Sequence, residues 1–338
     1  MLRPVAVLVA ALLAIAAPAR ADVVYGDWWV TCDNVRACTG YGFPSGDQYG
    51  VVLRLRREAQ ADAAAELDLN ISADLAKGVS GPLALAVDGE IVARTQPPEG
   101  AEDDDRGWRI SEAQTPALLA AIVRGKALEA KAGERTVVTI SLAGASAALR
   151  WIDDRQKRAG GVTALVARGP APASAVPAPP LAPVIRAAKP VSQAGLADTP
   201  PAAVRARIKA LDCQVDTPEI PTAYRLSRGV VLWVVPCWVG AYQIASALVL
   251  TDERGGHVRL ADLGGKGDAN ARAMATNAVY DTAAQKLYAY AKARGVADCG
   301  ESTTHAWTGK GFVLVERSEL QICRGLPRDF WVTMFRAR

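Results

Sequence analysis

Four carboxylates in the C-terminal part of this chain are the side chains best placed to act as catalytic groups. Asp281, Asp298, Glu301 and Glu316 lie in a stretch that is rich in cysteine, glycine and aromatic residues. Two carboxylates roughly 5 to 9.5 Å apart across a glycosidic bond are sufficient to hydrolyse a glycan. Most acidic residues in proteins built from strands and turns are simply solvated. Glycan hydrolysis by these carboxylates is therefore kept as the alternative function.

Other arrangements of reactive residues are weaker. The two histidines, His257 and His305, lie on different predicted segments without a Cys-x-x-Cys pair, so the sequence predicts no metal site. His305 is close in sequence to Ser302 and Asp298, but this proximity does not define the geometry of a triad. We expect His305 to be exposed on a loop or to cap a turn. The glycine-rich stretch 262–268 lacks phosphate-loop spacing and predicts a flexible turn, so we expect neither catalytic residues nor a cofactor.

The N-terminus predicts export. Arg3 precedes the run 5–17, which contains only Ala, Val, Leu and Ile, and Ala19-Arg20-Ala21 matches the pattern that signal peptidase cleaves. The run of 13 residues is too short for a helix that crosses about 30 Å of hydrocarbon, which disfavours an uncleaved anchor. We expect residues 1–21 to be a signal peptide and the mature protein to be periplasmic or secreted, without a transmembrane span.

The charge of the chain argues against nucleic acid as a partner. Removing residues 1–21 takes away two arginines and no acids, which lowers the formal net charge from +4 to +2. Nucleic-acid binding requires a clustered basic face. The basic run 54–57 is instead interpreted as the solvated face of a strand.

Six cysteines remain in the mature chain, and an exported protein with an even number is expected to form disulfides. Sequence alone allows 15 connectivities. Local pairing is the simplest prediction, and it joins Cys32 with Cys38, Cys213 with Cys237, and Cys299 with Cys323. Each of the two longer loops is expected to contribute on the order of 3 kcal/mol. A bond between Cys299 and Cys213 is the pairing that would contradict this prediction. Five residues separate Cys32 from Cys38, which favours a structural role over a redox role.

Proline divides the chain. The stretch 169–201 is rich in proline and alanine, which prevents both helix and sheet and predicts an extended linker. We expect a β-sandwich-like α+β domain at 22–168 and an antiparallel β domain with a leading helix at 202–338. The fold class is thus mainly β with some α.

Local patterns add detail to this division. Residues 23–30 predict one strand, and Asp88-Gly89 predicts a hairpin turn. Helices are expected from Thr115-Pro116, with Thr115 as the N-cap, over 146–158 and over 201–211. Cys299 and Cys323 should bracket a hairpin that turns near Gly309, with Trp307 and Phe312 packed over the disulfide.

Several motifs together resemble a known family. They begin with Trp28-x-x-x-Cys32-Asp33-Asn34-x-x-x-Cys38, followed by Leu149, Asp153, Asp154, Gln156 and Arg158, then Pro236-Cys237-x-x-Gly240-Ala241-Tyr242, and end with Arg294-Gly295-x-x-Asp298-Cys299-Gly300, Trp307, Phe312 and Cys323-Arg324-Gly325. This order resembles the bacterial envelope family called domain of unknown function 1176, which is similar to the invasion-associated locus B proteins. Gln243 stands where that family suggests Asn. The resemblance implies an exported protein of Gram-negative bacteria and supplies no activity.

The unusual residues of these motifs form the candidate surface site, which comprises Trp28, Asp33, Asn34, Arg294, Asp298, Trp307 and Arg324. Export, disulfides, many strands and the lack of a catalytic constellation favour a non-enzymatic module. We expect it to bind an envelope protein or a glycan.

Overall fold

The computed structural model describes residues 22–98, 106–213 and 220–338. The predicted signal peptide, residues 1–21, lies outside the described residues. Strands organised in several antiparallel sheets dominate the described chain, which confirms the predicted mainly β class. None of the described helices is long and apolar enough to cross a membrane.

The first half contains two sheets and two helices. In chain order its elements are β1 (Asp22–Tyr25), β2 (Trp28–Cys32), β3 (Cys38–Gly42), β4 (Val51–Arg57), β5 (Ala65–Ile71), β6 (Ala84–Val87), β7 (Glu90–Arg94), β8 (Arg106–Arg109), α1 (Thr115–Arg124), β9 (Ala127–Ala132), β10 (Arg135–Ser141) and α2 (Ala145–Arg155). The first sheet has the order β1-β2-β3-β4-β5-β8, and the second has the order β10-β9-β6-β7. Leu53 and Leu69 of the first sheet, Leu85 of the second sheet, and Leu149 of α2 share one buried core.

The predicted single strand over 23–30 is wrong, because the chain reverses at Gly26 and forms β1 and β2. Gly26 adopts a φ of 55°, and its Cβ position would lie 2.5 Å from the Ala143 carbonyl oxygen, so only glycine fits there. The Asp27 amide donates to the same oxygen over 3.0 Å. The turn therefore depends on a contact with a loop more than 100 residues away, which a local pattern does not reveal.

Other local predictions are confirmed. Asp88 and Gly89 form the turn between β6 and β7, with φ values of 50° and 90°. Helix α1 begins at Thr115, although Gln114 rather than Thr115 occupies the N-cap position. Helix α2 begins and ends within three residues of the predicted bounds.

The described residues of the second half form one α-helix, two short 3-10 helices (Ala271–Ala273 and Arg328–Phe330) and two further sheets. Its elements are α3 (Ala202–Lys209), β11 (Thr222–Ser227), β12 (Val230–Val239), β13 (Ile244–Thr251), β14 (Arg259–Leu260), β15 (Met274–Thr276), β16 (Val279–Asp281), β17 (Lys286–Lys292), β18 (Gly300–Trp307), β19 (Phe312–Leu320) and β20 (Val332–Arg336). The third sheet has the order β11-β12-β13-β14, with β15 also paired to β13. The fourth sheet is an antiparallel meander of β16 to β20 in sequence order.

Strands β18 and β19 form the predicted hairpin, and the Thr308 amide donates to the Gly311 carbonyl at its turn. The prediction that Trp307 and Phe312 cover the disulfide is wrong. Their rings pack against each other 5.3 Å apart at the turn, whereas Cys299 and Cys323 lie beyond the opposite ends of the strands. A strand rises about 3.3 Å per residue, so the eight residues of β18 separate the two sites by about 25 Å.

The proline-rich stretch 169–201 lies against both halves. The Ile185 amide donates to the Arg338 carbonyl over 2.8 Å, and the Arg338 amide donates to the Pro183 carbonyl over 2.8 Å. The Ala188 amide donates to the Trp307 carbonyl, and Arg36 of the first half donates to the Pro177 carbonyl over 3.3 Å. Hydrogen bonds from backbone amides and from the Arg36 side chain thus fix this segment at several points.

Candidate functional site at the junction of the two halves

Four of the seven members of the candidate surface site are buried: Asp33 and Asp298 at the contact between the halves, and Trp28 and Trp307 in separate cores. Trp28 has no exposed surface and donates its indole N–H to the Ser141 carbonyl over 2.9 Å. Trp307 is buried in the core between the third and fourth sheets. Neither ring is accessible to a partner, so this part of the surface-site prediction is corrected. Both tryptophans act as packing residues.

The five members other than the tryptophans lie where the first sheet meets the fourth sheet, and we call this contact the junction. Its apolar centre is formed by Trp29, Tyr41, Phe43 and Val52 from the first half and by Leu320, Leu326, Phe330 and Trp331 from the second. The Tyr41 hydroxyl donates to the Phe330 carbonyl over 2.7 Å. Burial raises the pKa of Tyr41, so this hydroxyl keeps its proton. Residues of the two halves therefore form one shared hydrophobic cluster, separate from the main core of each half.

One end of the junction is the N-terminal clip, which we define as residues 32–38. The Cys32–Cys38 disulfide closes it, with the two Cα atoms 4.0 Å apart. Asp33 accepts hydrogen bonds from the Val35 and Ala37 amides over 2.9 and 2.8 Å, which fixes the loop. Its other carboxylate oxygen lies 2.6 Å from Nε of Arg336 in the last strand. Asp33 thus connects the clip to the second half.

Asn34 binds the backbone of the last strand. Its Nδ2 donates to the Arg336 carbonyl over 2.9 Å, and its Oδ1 accepts from the Arg336 amide over 2.8 Å. A side-chain amide that satisfies both backbone groups of one residue substitutes for a neighbouring strand. The Asp33-Asn34 pair therefore holds both the side chain and the backbone of Arg336.

The opposite end of the junction is the Cys299–Cys323 disulfide with its neighbours, which we call the C-terminal clip. Asp298 accepts from Nε of Arg294 over 2.6 Å and from the Gly325 amide over 2.6 Å. Burial alone would raise the pKa of Asp298. The hydrogen bonds from Arg294 and Gly325 and the charge of Arg294 outweigh burial and lower this pKa. The carboxylate is therefore held in its charged form.

Arg324 and Gly325 join the C-terminal clip to the loop before β4. The Gly50 amide donates to the Arg324 carbonyl over 2.8 Å, and the Arg324 guanidinium donates to the Gly46 carbonyl and lies 5.5 Å from the Phe43 ring centre. Gly325 has a φ of 71°, and its Cβ position would lie 2.9 Å from the Gly50 nitrogen. Glycine is required here because the two backbones touch.

The structure contains all three disulfides of the local pairing. The third joins Cys213 to Cys237 within the core of α3 and the third sheet, away from the junction. Two of the three disulfides therefore stand at the two ends of the contact between the halves. The sequence predicted the pairs but not this placement.

The mid-chain motif forms a buried polar network in the first half. Asp153 accepts from the Leu165, Val166 and Ala167 amides over 2.7 to 3.2 Å. The Gln156 side chain donates to three carbonyls, and Arg158 donates to Gln156 and to the carbonyls of the loop after β4. Arg57 is buried beside Asp153, and burial lowers its pKa to about 10. The interpretation of 54–57 as a wholly solvated face is therefore wrong at Arg57.

The four candidate carboxylates do not converge. Asp281 accepts from the Ala283 and Ala284 amides in a turn, and Asp298 is engaged in the C-terminal clip. Glu316 lies opposite Thr304, three positions along β18 from Glu301. Residues three positions apart in a strand point to opposite faces. Glu301 and Glu316 therefore lie on different faces of the fourth sheet.

The histidines are also separated. His305 is buried on β18 rather than exposed on a loop, so that prediction is wrong; its Nε2 lies 3.1 Å from the Leu263 carbonyl oxygen. Burial lowers the pKa of His305, which is therefore neutral at pH 7. Ser302 lies three positions from His305 on the same strand and points to the other face, so no triad is assembled. His257 is exposed in a turn.

One group of described residues has the composition of a metal site. The ligand atoms of Asp298, Cys299 and Cys323 lie within 4.8 Å of one another. The two sulfurs are bonded to each other, and the carboxylate binds Arg294 and Gly325. Metal binding by cysteine requires a thiolate. These residues do not fit a metal ion while the disulfide is intact.

A cavity of about 450 Å³ opens beside the N-terminal clip. It lies between the clip, the C-terminal end of α2 and the last strand, and its walls are formed by Cys32, Asp33, Asn34, Arg36, Asp154, Arg155, Lys157 and Met334. Ligand pockets typically measure about 300 to 1,000 Å³. The cavity thus has the size of a binding site, with three basic and two acidic side chains in its walls.

Comparison with known proteins agrees with the motifs. The profile of the family described as "Protein of unknown function (DUF1176)" matches residues 22–338. The chain is 30% identical to the uncharacterized protein YpfG of Escherichia coli (strain K12) over 351 residues, covering 96% of this chain and 94% of that protein. It is also similar to the crystal structure of invasion associated protein B from Bartonella henselae, with 24% identity, 40% of this chain and 98% of that chain covered, and a TM-score of 0.30.

The matched profile covers the first sheet, both clips and the last strand. All four motifs that carried the resemblance fall within it. The chain therefore belongs to the DUF1176 family of proteins of unknown function.

Proposed function

We propose that this protein is an exported, disulfide-stabilised envelope module that binds a protein or glycan partner without catalysis. The observation that carries the proposal is the engagement of its motif residues with one another. Asp33, Asn34, Asp298 and Arg324 all bind groups across the junction or within its clips. Residues that catalysed a reaction would need atoms directed toward a substrate. These residues instead hold the two halves in one arrangement.

The cavity beside the N-terminal clip is the proposed binding place. It is bounded by both halves, so its shape depends on the junction. Lys157 is exposed at the end of α2, where it adds a positive charge to the wall. A partner that carries carboxylate or phosphate groups would be attracted to the basic side chains.

The test is a pull-down from envelope extract with the mature protein as bait, with peptidoglycan and outer-membrane fractions assayed separately. Lys157→Glu should reduce recovery of the partner. Lys310→Glu is the matched control, because Lys310 is exposed on the turn between β18 and β19. Equal recovery of the partner by both variants would exclude the cavity as the binding place. Failure to recover any specific partner from any fraction would contradict the binding function.

Glycan hydrolysis is the alternative, and the structure favours a different carboxylate pair for it. Glu319 is buried directly opposite Glu301 on neighbouring strands. Burial raises the pKa of Glu319, and the charge of Glu301 adds to this effect. A carboxyl group with a raised pKa is suited to general acid catalysis. Release of soluble sugars from purified peptidoglycan by the wild type but not by Glu319→Gln would support this alternative.

We further propose that cleavage after Ala21 produces the mature chain, with domains at 22–168 and 202–338 joined by 169–201. Asp22 begins β1, and its carboxylate accepts from the Trp29 indole over 3.2 Å, so the proposed new terminus takes part in the first sheet. Mass spectrometry of the exported protein should show Asp22 as its first residue. Limited proteolysis should cut within 169–201, and a first cut elsewhere would contradict this division.

A further inference from the structure

A second surface, on the side of the C-terminal clip, exposes large apolar side chains. Trp238, Val239 and Tyr242 on the hairpin between β12 and β13 are 41%, 40% and 48% exposed. Val296, on the loop between β17 and β18, is 76% exposed, and Tyr49 of the first half is 45% exposed. We call these five residues the loop surface. Clustered exposed apolar residues commonly mark an interaction site.

The loops that carry these residues are in direct contact. The Gln243 side chain donates to the Lys292 carbonyl over 2.9 Å, which fixes the hairpin against the end of β17. The Tyr242 ring lies on Gly295, whose Cβ position would be 3.3 Å from the ring. On the other side, the Arg294 guanidinium lies 5.1 Å from the Tyr49 ring centre. Tyr242, Val296 and Tyr49 are therefore carried by adjoining loops, and Trp238 and Val239 lie at the end of the strand that leads to Tyr242.

Basic groups lie among the exposed rings. The Lys292 ammonium is 5.5 Å from the centre of the Tyr242 ring, and the Arg324 guanidinium of the C-terminal clip is 5.5 Å from the centre of the Phe43 ring. Arg294 is paired with Asp298, which offsets its charge. The region thus combines aromatic rings, aliphatic side chains and cations.

We infer that the loop surface docks on a lipid membrane that carries anionic head groups. Tryptophan and tyrosine favour the boundary between hydrocarbon and water because one end of each ring is polar. Transfer of a valine side chain into the acyl region is favourable, whereas valine has no side-chain group that could form a hydrogen bond with a sugar. Lysine and arginine attract anionic head groups, with about 1 kcal/mol for each basic residue near the surface. This inference goes beyond the proposed partner binding and uses a different part of the molecule.

The test is co-sedimentation of the mature protein with vesicles of phosphatidylcholine alone and with vesicles containing an equal amount of phosphatidylglycerol. The wild type should bind the anionic vesicles at least about fivefold more strongly, the equivalent of one basic contact. Val296→Asp should lower this binding by about tenfold, because it adds an anion and removes an apolar contact. Val279→Asp is the matched control, since Val279 is 60% exposed on β16, outside the loop surface.

Each other outcome would overturn the inference. Equal binding to the two vesicle types would exclude recognition of anionic lipid, and equal loss in the two valine variants would exclude the loop surface. A third outcome is that the protein does not bind vesicles, but Val296→Asp recovers less of a protein or glycan than the wild type in the envelope pull-down. The loop surface would then bind that macromolecule and not lipid. In that case the lipid inference fails while the proposed binding function stands.

Discussion

The two clips at the ends of the junction hold the halves together by different means. In the N-terminal clip, Asp33 and Asn34 hold a single residue of the last strand, Arg336, by its side chain and its backbone. In the C-terminal clip, Asp298 binds residues next to its own disulfide, and the contact with the first half is made by Arg324 and Gly325. The first clip fixes a strand, whereas the second positions a loop.

The charges of the two clips differ in the same way. Burial raises the pKa of Asp33, and this effect outweighs the opposing charge of Arg336 and the amide hydrogen bonds. At Asp298 the balance is reversed, and Arg294 and the Gly325 amide lower the pKa. Each clip contains a carboxylate paired with an arginine, but only the pKa of Asp298 is lowered, so only Asp298 is stabilised as an anion. The two ends should respond differently to mutation and to acid.

The largest expected effect is at the apolar centre between the clips. Phe330→Ala should lower the free energy of unfolding by about 3 to 5 kcal/mol, because it removes a buried ring that contacts Tyr41 of the other half. Urea unfolding measures this change. Leu128→Ala should be similarly destabilising but lies in the core of the first half, so only Phe330→Ala should increase proteolysis within 169–201.

Removal of the disulfides should distinguish the two clips. Replacing Cys299 and Cys323 by Ser should cost about 3.5 kcal/mol, whereas replacing Cys32 and Cys38 should cost about 2.4 kcal/mol, because the first pair closes a longer loop. The sequence separations are 24 and 6 residues. Urea unfolding of the two double variants checks this order. The reverse order would show that strain or packing, rather than chain entropy, decides the contribution of each disulfide.

A smaller loss is expected at Asn34. Asn34→Ala leaves the amide and carbonyl of Arg336 without their partner, which should cost about 1 to 3 kcal/mol. Gln243→Ala is the matched control, because the Gln243 side chain binds both the amide and the carbonyl of Lys292 inside the second half. Thermal unfolding should show similar losses for both, with increased exchange of the Arg336 amide in Asn34→Ala only.

The smallest effect is the pH dependence of Asp298. Its pKa is lowered in the folded state, so its stabilising contribution is present above the unfolded-state pKa of about 3.9 and is lost as the pH falls through the folded-state pKa. Asp298→Asn should be less stable than the wild type at pH 7, and the difference should shrink below about pH 4. Unfolding curves at pH 7 and pH 3 check this, and a constant difference would contradict the assigned role of the charge.

The sequence predicted those features that depend on neighbouring residues. Asp88-Gly89 specified its turn through residues that tolerate positive φ, and Thr115-Pro116 began a helix because proline fits the first turn. The reversal at Gly26 has no local signal because the Ala143 loop imposes it. The predicted position of Trp307 over the disulfide is wrong because β18 places about 25 Å between the turn and Cys299.

The candidate site shows the same limit. The motifs contain Asp33, Asn34, Asp298 and Arg324, but three of these residues bind partners that are about 280 to 300 residues away in the sequence. Contacts between the N-terminal and C-terminal parts of a chain leave no short-range pattern in a single sequence. The sequence does place an acidic or amide residue beside each clip disulfide. Only the fold shows which groups those residues bind.

Hydrogen exchange of the full mature protein tests the central claim most directly, namely that the motif residues form the junction. In the wild type, the amides of Gly50, Gly325 and Arg336 should exchange slowly, because each donates a hydrogen bond at a clip. In an Asn34→Ala/Asp298→Ala variant, Arg336 and Gly325 should exchange much faster, while core amides such as Leu53 and Leu248 remain protected. Unchanged protection of Arg336 and Gly325 would contradict the account.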